Sequence, residues 1–416
     1  MSVEGRGLKG VRRIAALVGA AFLLAGCQTL LPYINDDRVP TPVVVADASP
    51  ERLALNARVY DSATRWVGQR FYRRDFGGVD WAAEVAARRD AAIAQPTEAE
   101  FYASLNELLG LLNDRHTNAV TPTRHLERAL ARRDPTPNLG FGMRVVDDQF
   151  IVTSIRPGGP ADLAGVKFGW RVERLNGEPV NRQTRLRKDL DVQVVVFTDG
   201  EGVEHEVSIP VMPLPPYVGE AERRPDGVLV LSFDYFGPVT RRWLDEQMRA
   251  AIADPPAGIV LDLRDNSGGV ILDVGRALAH FFPDRRPYAW IDVGYLPRFP
   301  YRTRPPRQVW TGPAAVIIGD GSASGAEVFA ATFQETGRGQ VIGLKSLGAV
   351  IASRQLMLPD GGELSIGVRS FRSGAGHVLE GVGVTPDREV KFRSEELRQA
   401  RDAMIEAAAE AVLGGP

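Results

Sequence analysis

The chain has 416 residues, 44% of them apolar and 25% charged, with a formal net charge of −2. Those are globular proportions over a length that suits two or three domains. Near-neutral charge, with acidic and basic residues interspersed, argues against nucleic acid as the main partner, which would favour a strongly basic face.

Arg12 and Arg13 precede the apolar run IAALVGAAFLLAG, which ends at Cys27. The run is too short to span a membrane and reads as the apolar region of a signal peptide over residues 1–26. Leu24-Ala25-Gly26-Cys27 resembles the bacterial lipobox. That resemblance implies cleavage before Cys27 and diacylation of its sulfur. Gln28 follows the cysteine in place of Asp, which by the same resemblance permits sorting to an outer membrane facing the periplasm. Cys27 is the only cysteine, so it has no disulfide partner. The alternative is an ordinary secretory signal with an incidental cysteine.

Residues 27–50, rich in Pro, Asp and Val, read as an extended tether. From 51 to 136 apolar residues recur at helical spacing, and Thr97 before Glu100 has the spacing of a capping box, so a small helical domain is expected. Short β-branched runs with glycine turns, FGMRVV to HEVSIPV, predict a compact β-module over 137–213. Strands and helices then alternate, which predicts an α/β segment over 218–395 with a mostly parallel sheet. The run SEELRQARDAMIEAAAEAVL predicts a closing helix over 396–416.

In such sheets, functional groups gather beyond the carboxyl ends of the strands. VLDLRDNSGG ends one strand in Gly268 and Gly269, whose backbone amides suit an oxyanion site. VIIGDGSASGAE ends the next in Ser322 and Ser324, at the start of a helix whose dipole favours developing negative charge. Serine is also a preferred N-cap, and NSGG alone is a turn, so cap and nucleophile both remain open on these residues.

The order LDLRDNSGG, GSASGAE, GRGQVIG and LEGVGVTPD resembles the C-terminal processing (tail-specific) and tricorn-type serine peptidase family, over most of residues 95–390. It implies a ClpP/crotonase-like catalytic fold with a PDZ domain beside it. NLGFGM and PGGPADLAGVKFGWRVERLNG resemble a PDZ carboxylate loop and the helix and strand after it. Leu139, Gly140 and Phe141 are then expected to offer amides to a peptide C-terminus that joins as an added strand. The resemblance places the nucleophile on Ser324, with oxyanion donors at Gly325 and Gly269, and makes Ser322 a cap or turn residue.

The tail-specific branch uses a lysine base, but that position is Ala349 here. Lys345 lies four residues earlier, roughly 13 Å along a strand. The tricorn branch uses a histidine oriented by a glutamate. LLNDRHT and LEGVGVTPD resemble those segments and assign His116 as base and Glu380 as its partner. Arg115 replaces the serine that the tricorn branch carries beside the histidine. His377 is a reserve base, while His125, His205 and His280 match no motif and are expected at the surface or in caps. No two histidines have HExxH spacing and thiol ligands are missing, which argues against a metal, and no cofactor is expected.

Together these readings predict a lipid-anchored, ATP-independent serine peptidase of the bacterial envelope. Its partners would be unstructured polypeptides, peptide C-termini and the membrane. A catalytically inactive peptide-binding adaptor and an esterase-type acyl hydrolase are the alternatives. Retention of Ser324, His116, Glu380 and both oxyanion glycines favours catalysis over the adaptor, and the PDZ-like module argues against the esterase.

Overall fold

The computed structural model describes residues 39–133, 137–184, 190–214, 217–292 and 298–414. The expected signal segment and Cys27 lie outside them. The chain divides into two compact units: the residues up to Ala129 with Ala352–Val368, and Leu130–Ile351 with Arg369–Pro416.

The first unit is built on three capped helices. Ser49 accepts the Arg52 amide at 3.1 Å, with proline at the first position of Pro50–Arg70. Asp80 caps Trp81–Ile93 through the Ala83 amide. The capping box expected at Glu98–Gly110 is formed, with Glu100 N donating to Thr97 Oγ1 and Thr97 N to Glu100 Oε2, both at 3.2 Å. Leu55, Val59, Ala63 and Val67, four residues apart, share a core with Phe101, Leu105, Leu108 and Leu109. The unit also includes the strand Ala352–Met357 and the start of Glu363–Ser373, which runs antiparallel to Asn118–Val120. The sequence pattern had placed 352–368 within the α/β segment; its long-range strand pairing puts it here.

The second unit contains an antiparallel module and an α/β sheet. The module orders its strands Phe141–Val146, Gln149–Ile155, Arg171–Leu175, Val192–Thr198 and Glu204–Pro210 around Leu139, Val152, Phe197 and Ile209. Val146 pairs with Gln149 across a two-residue loop, Asp147-Asp148, with φ of 48° and 59°. Two positive φ values give the turn that matches the twist of the flanking strands. Phe141–Val146 is an edge strand of this sheet among the described residues.

The α/β sheet runs Glu220–Arg223, Val228–Ser232, Gly258–Asp262, Ala314–Ile318, Val341–Gly343, Arg388–Glu389. Its first pairing is antiparallel and the other four are parallel. Alternate residues Val228, Val230, Val260, Ala315, Ile317 and Ile342 pack on Met404, Ala407, Ala408 and Val412 of the last helix.

Two expectations need correcting. The described strands are rich in antiparallel pairs: within 218–395, Pro287–Asp292 pairs antiparallel with Phe299–Arg302 and with the end of Glu363–Ser373. Short apolar runs carry no signal of pairing direction, so the hairpin was not foreseen. The closing helix is two helices, Ser394–Arg398 and Ala403–Leu413. Ala400 has φ 56°, and Asp402 restarts the helix by accepting the amides of Met404 and Ile405 at 3.1 and 3.2 Å. Its other oxygen accepts from Arg264 at 2.7 Å.

In the first unit Asp360 is 2% exposed and accepts from Tyr102 Oη at 2.9 Å and Gly362 N at 2.9 Å. Burial pushes its carboxyl above the ordinary value, against the opposing effect of these bonds. A raised carboxyl favours the folded state when protonated, so this contribution is complete at low pH and fades as pH rises through the folded pKa. Asp360→Asn removes the ionisation. The Tm difference should therefore move in the variant's favour as pH rises from about 4, and a pH-independent difference in thermal melts would contradict the assignment.

Candidate active site

Parallel pairing of Gly258–Asp262 with Ala314–Ile318, Asp262 opposite Ile317, sets two strand ends side by side. Two loops leave there, 263–270 and 319–324, and they are fastened to each other. Asn266, with no exposed surface, donates from its amide to Phe233 O at 2.9 Å and accepts from Gly268 N at 2.8 Å. Its carbonyl accepts from Ala323 N at 3.0 Å.

The two serines part company here. Ser322 is fully buried; its hydroxyl donates to Leu263 O at 2.7 Å and accepts from Gly319 N at 2.9 Å. It ties the strand ends together, as the cap-or-turn assignment anticipated. Ser324 is half-buried and stands just before helix Gly325–Thr336 with φ 52° and ψ −111°. An ordinary N-cap sits in the β region. Positive φ on a serine costs about 1–3 kcal/mol, and such strain collects at functional sites.

Gly268, at φ 99°, touches this serine: a Cβ there would lie 2.6 Å from Ser324 Cβ and 2.7 Å from Gly325 N. Gly269, at φ 134°, bridges Phe236 in parallel, with Phe236 N donating to Gly268 O and Val270 N donating to Phe236 O, each at 2.7 Å. In such a bridge the central residue's own amide faces away from its partner. Gly269 N lies 3.4 Å from where a Cβ on Gly325 would stand. Among the described residues no bonded acceptor is found for the amides of Gly269 or Gly325. Two such donors beside a hydroxyl can stabilise an oxyanion formed by attack on a carbonyl.

Residues 227–390, which hold both loops, match Peptidase family S41. This segment is an S41 peptidase domain. A carboxyl-terminal-processing protease of Picosynechococcus sp. is 22% identical over 343 residues, covering 79% of this chain and 81% of the relative. A chloroplastic C-terminal processing peptidase of Tetradesmus obliquus is 24% identical over 359 residues, covering 78% and 75%. The solved photosystem II D1 C-terminal processing protease shares the fold with a TM-score of 0.57 at 20% identity, covering 86% of this chain and 97% of that one. The chain is a serine-type peptidase.

Glu380 is half-buried and its Oε2 accepts from Val350 N at 2.7 Å. Gly381 N donates to Gly348 O at 2.9 Å, so the 380s turn and the 346–350 segment are joined. Ala349 occupies the lysine position within that segment, and Lys345 is exposed. His116 belongs to the first unit, in a turn where Asp114 accepts its amide at 3.1 Å and Ser365 Oγ donates to its carbonyl at 2.8 Å. The reserve base His377 is exposed and bonds Glu335 at 2.8 Å. His125 is buried, not at the surface, while His280, also buried, is the C-cap of helix Ile271–Ala279, one of the two places expected for it. His125 Nδ1 lies 2.9 Å from Gly361 O, and His280 Nε2 is 2.7 Å from Asp245. His205 stacks on Trp170 and bonds Asp199 at 2.8 Å.

In the antiparallel module Leu139 and Gly140 are buried and Phe141 opens the edge strand. Gly140 N already donates to Asn138 Oδ1 at 2.7 Å, so one of the three amides expected to meet a carboxylate is engaged. Arg144 on the same strand pairs with both Asp265 and Asp320, one from each loop of the serine site. Burial opposes its charge, but the two carboxylates outweigh it and the net shift is upward.

Three residues escaped the sequence analysis. Asn266 and Glu327 were legible in kind, the first as the Asx residue of an NSGG turn, the second from the Ser-x-x-Glu spacing of Ser324 and Glu327. Arg144 carries no local signal, because its partners lie 121 and 176 positions away.

Gly268→Ala and Gly269→Ala should each lower the rate of peptide hydrolysis at least 100-fold, the scale of losing an oxyanion donor. The variants should keep the helical and sheet signal in circular dichroism. A wild-type rate in either would mean that the glycine turn does not approach the serine this closely.

Proposed function

We propose that this S41 peptidase cleaves unstructured polypeptides, through an acyl-enzyme on Ser324, without ATP. The observation that carries the reading is the pair of amides, Gly269 and Gly325, with no bonded acceptor among the described residues beside a serine of positive φ. Ser324 Oγ attacks the carbonyl carbon while its proton passes to His116, and the oxyanion settles on the two amides. The C–N bond then breaks and His116 returns the proton to the departing amine. Water hydrolyses the ester by the same route, giving up a proton to His116, and Ser324 Oγ recovers it. Glu380 holds the imidazole in the tautomer this needs.

The names of the relatives, carboxyl-terminal and C-terminal processing, support polypeptide tails as the substrate class. We assign residues 137–213 as a PDZ domain in which Leu139, Gly140 and Phe141 receive a peptide C-terminus. The position of Phe141–Val146 at the sheet edge supports strand addition there. Engagement of Gly140 N by Asn138 means that the side chain turns aside or that two amides suffice. Cys27, lipidated after signal cleavage, would anchor the protein to the outer membrane facing the periplasm.

The test is fluorophosphonate labelling and proteolysis by signal-free protein. Ser324→Ala should abolish both, while His116→Ala and Glu380→Gln should lower hydrolysis about 1,000- to 10,000-fold. Lys345→Ala should match wild type. Loss of activity in the lysine variant would overturn the base assignment. Folded wild type that bound C-terminal peptides yet never labelled would favour peptide capture without this chemistry.

A further inference from the structure

Glu327 lies in the first turn of helix Gly325–Thr336 and has no exposed surface. Its carboxylate takes four donors from two places. Oε2 accepts from Ser324 N at 2.9 Å and Ala349 N at 2.8 Å; Oε1 accepts from Ser346 Oγ and Gly348 N, both at 2.6 Å. We infer that Glu327 is the positioning residue of this site: it fixes the amide of Ser324 and the segment carrying residues 346–350 with one buried charge. The inference rests on Ser324 as nucleophile.

Two consequences bear on the reaction. In many serine hydrolases the nucleophile's own amide faces the oxyanion, but here Glu327 takes the Ser324 amide. The oxyanion donors are thereby restricted to Gly325 and Gly269. The bond also resists relaxation of Ser324 out of positive φ, because turning that peptide would strip a buried carboxylate of a donor. The other three bonds reach the opposite wall. Leu347 N donates to Ser322 O at 2.9 Å, Val384 N to Ser346 Oγ at 2.7 Å and Val350 N to Glu380 Oε2 at 2.7 Å. Glu327 thus sets where Glu380 meets its segment, though it touches neither Glu380 nor a substrate.

Glutamine does not reproduce this carboxylate. Each oxygen holds two donors, so an amide NH2 on the Oε2 side would face two N–H groups. On the Oε1 side Ser346 could turn its hydroxyl, but Gly348 N would still meet a donor. At least one buried amide loses its acceptor in either orientation.

The experiment compares wild type, Ser324→Ala, Glu327→Gln and Ser346→Ala for fluorophosphonate labelling rate, kcat and KM on an unstructured polypeptide, and Tm. Labelling of wild type but not Ser324→Ala establishes the nucleophile; if that fails, the reading of the site falls and this inference falls with it. Given labelling, Glu327→Gln should react about 100-fold more slowly with kcat reduced and KM within about twofold, as expected for a misplaced reacting group. Ser346→Ala removes one of the four donors to Glu327 and the acceptor of Val384 N, and should slow labelling about threefold to tenfold. Combined with Glu327→Gln it should add less than its single effect, since both act through one network. Wild-type labelling by Ser346→Ala and by any folded Glu327→Gln, or a rise in KM at unchanged kcat, would overturn the inference. Should Glu327→Gln not fold, the rate of Ser346→Ala decides alone.

Discussion

A carboxylate removed from water costs several kcal/mol unless donors replace its hydration. Glu327 meets that requirement with four hydrogen bonds, and the arrangement of the serine site follows from where they come from. One donor is the amide of Ser324, so the residue before the helix cannot drift into an ordinary cap conformation without leaving the charge short. The other three belong to residues 346–349, which must stand against the start of the helix for the same reason. A single buried charge therefore joins the serine turn to the opposite wall.

The facing loop is held by a different device. Parallel pairing places the ends of Gly258–Asp262 and Ala314–Ile318 in register, and Asn266 then stitches the outgoing chain to Phe233, Gly268 and Ala323. Only glycine allows positions 268 and 269 to lie against Ser324 and Phe236 at the positive φ values found. The outcome is two amides without a bonded acceptor among the described residues, whereas buried amides in proteins are nearly always paired. Hydrogen-bonding capacity left unused next to a hydroxyl is what a developing oxyanion needs.

The same two loops are reached from the antiparallel module. Arg144, on its edge strand, sits between Asp265 and Asp320 and so joins the strand that could receive a peptide to the turns that carry Gly268 and Ser324. His116 lies in the other compact unit, where Asp114 accepts its amide and Ser365 donates to its carbonyl. The chemistry proposed for this peptidase names residues more than 200 positions apart in the sequence.

Much of this was legible in the sequence wherever the signal is local. The capping box of Thr97 and Glu100, the strand runs of the β-module, the alternation of strands and helices and the position of Ser324 beyond a strand end all depend on residues a few places apart. What depended on closure was not legible. The antiparallel hairpin, the transfer of 352–368 to the helical unit, and the break in the last helix, fixed by Asp402 and its bond to Arg264, arise from long-range pairing. The Ser-x-x-Glu spacing offered Glu327 as a cap partner, a signal the sequence reading passed over, but it carries nothing of the hold on residues 346–349. Propensity and capping act within one or two turns of chain and are written in composition and spacing. A buried charge finds its donors only after distant segments have packed, so only the tertiary structure decided which amides Glu327 bound and that those of Gly269 and Gly325 have no bonded acceptor among the described residues.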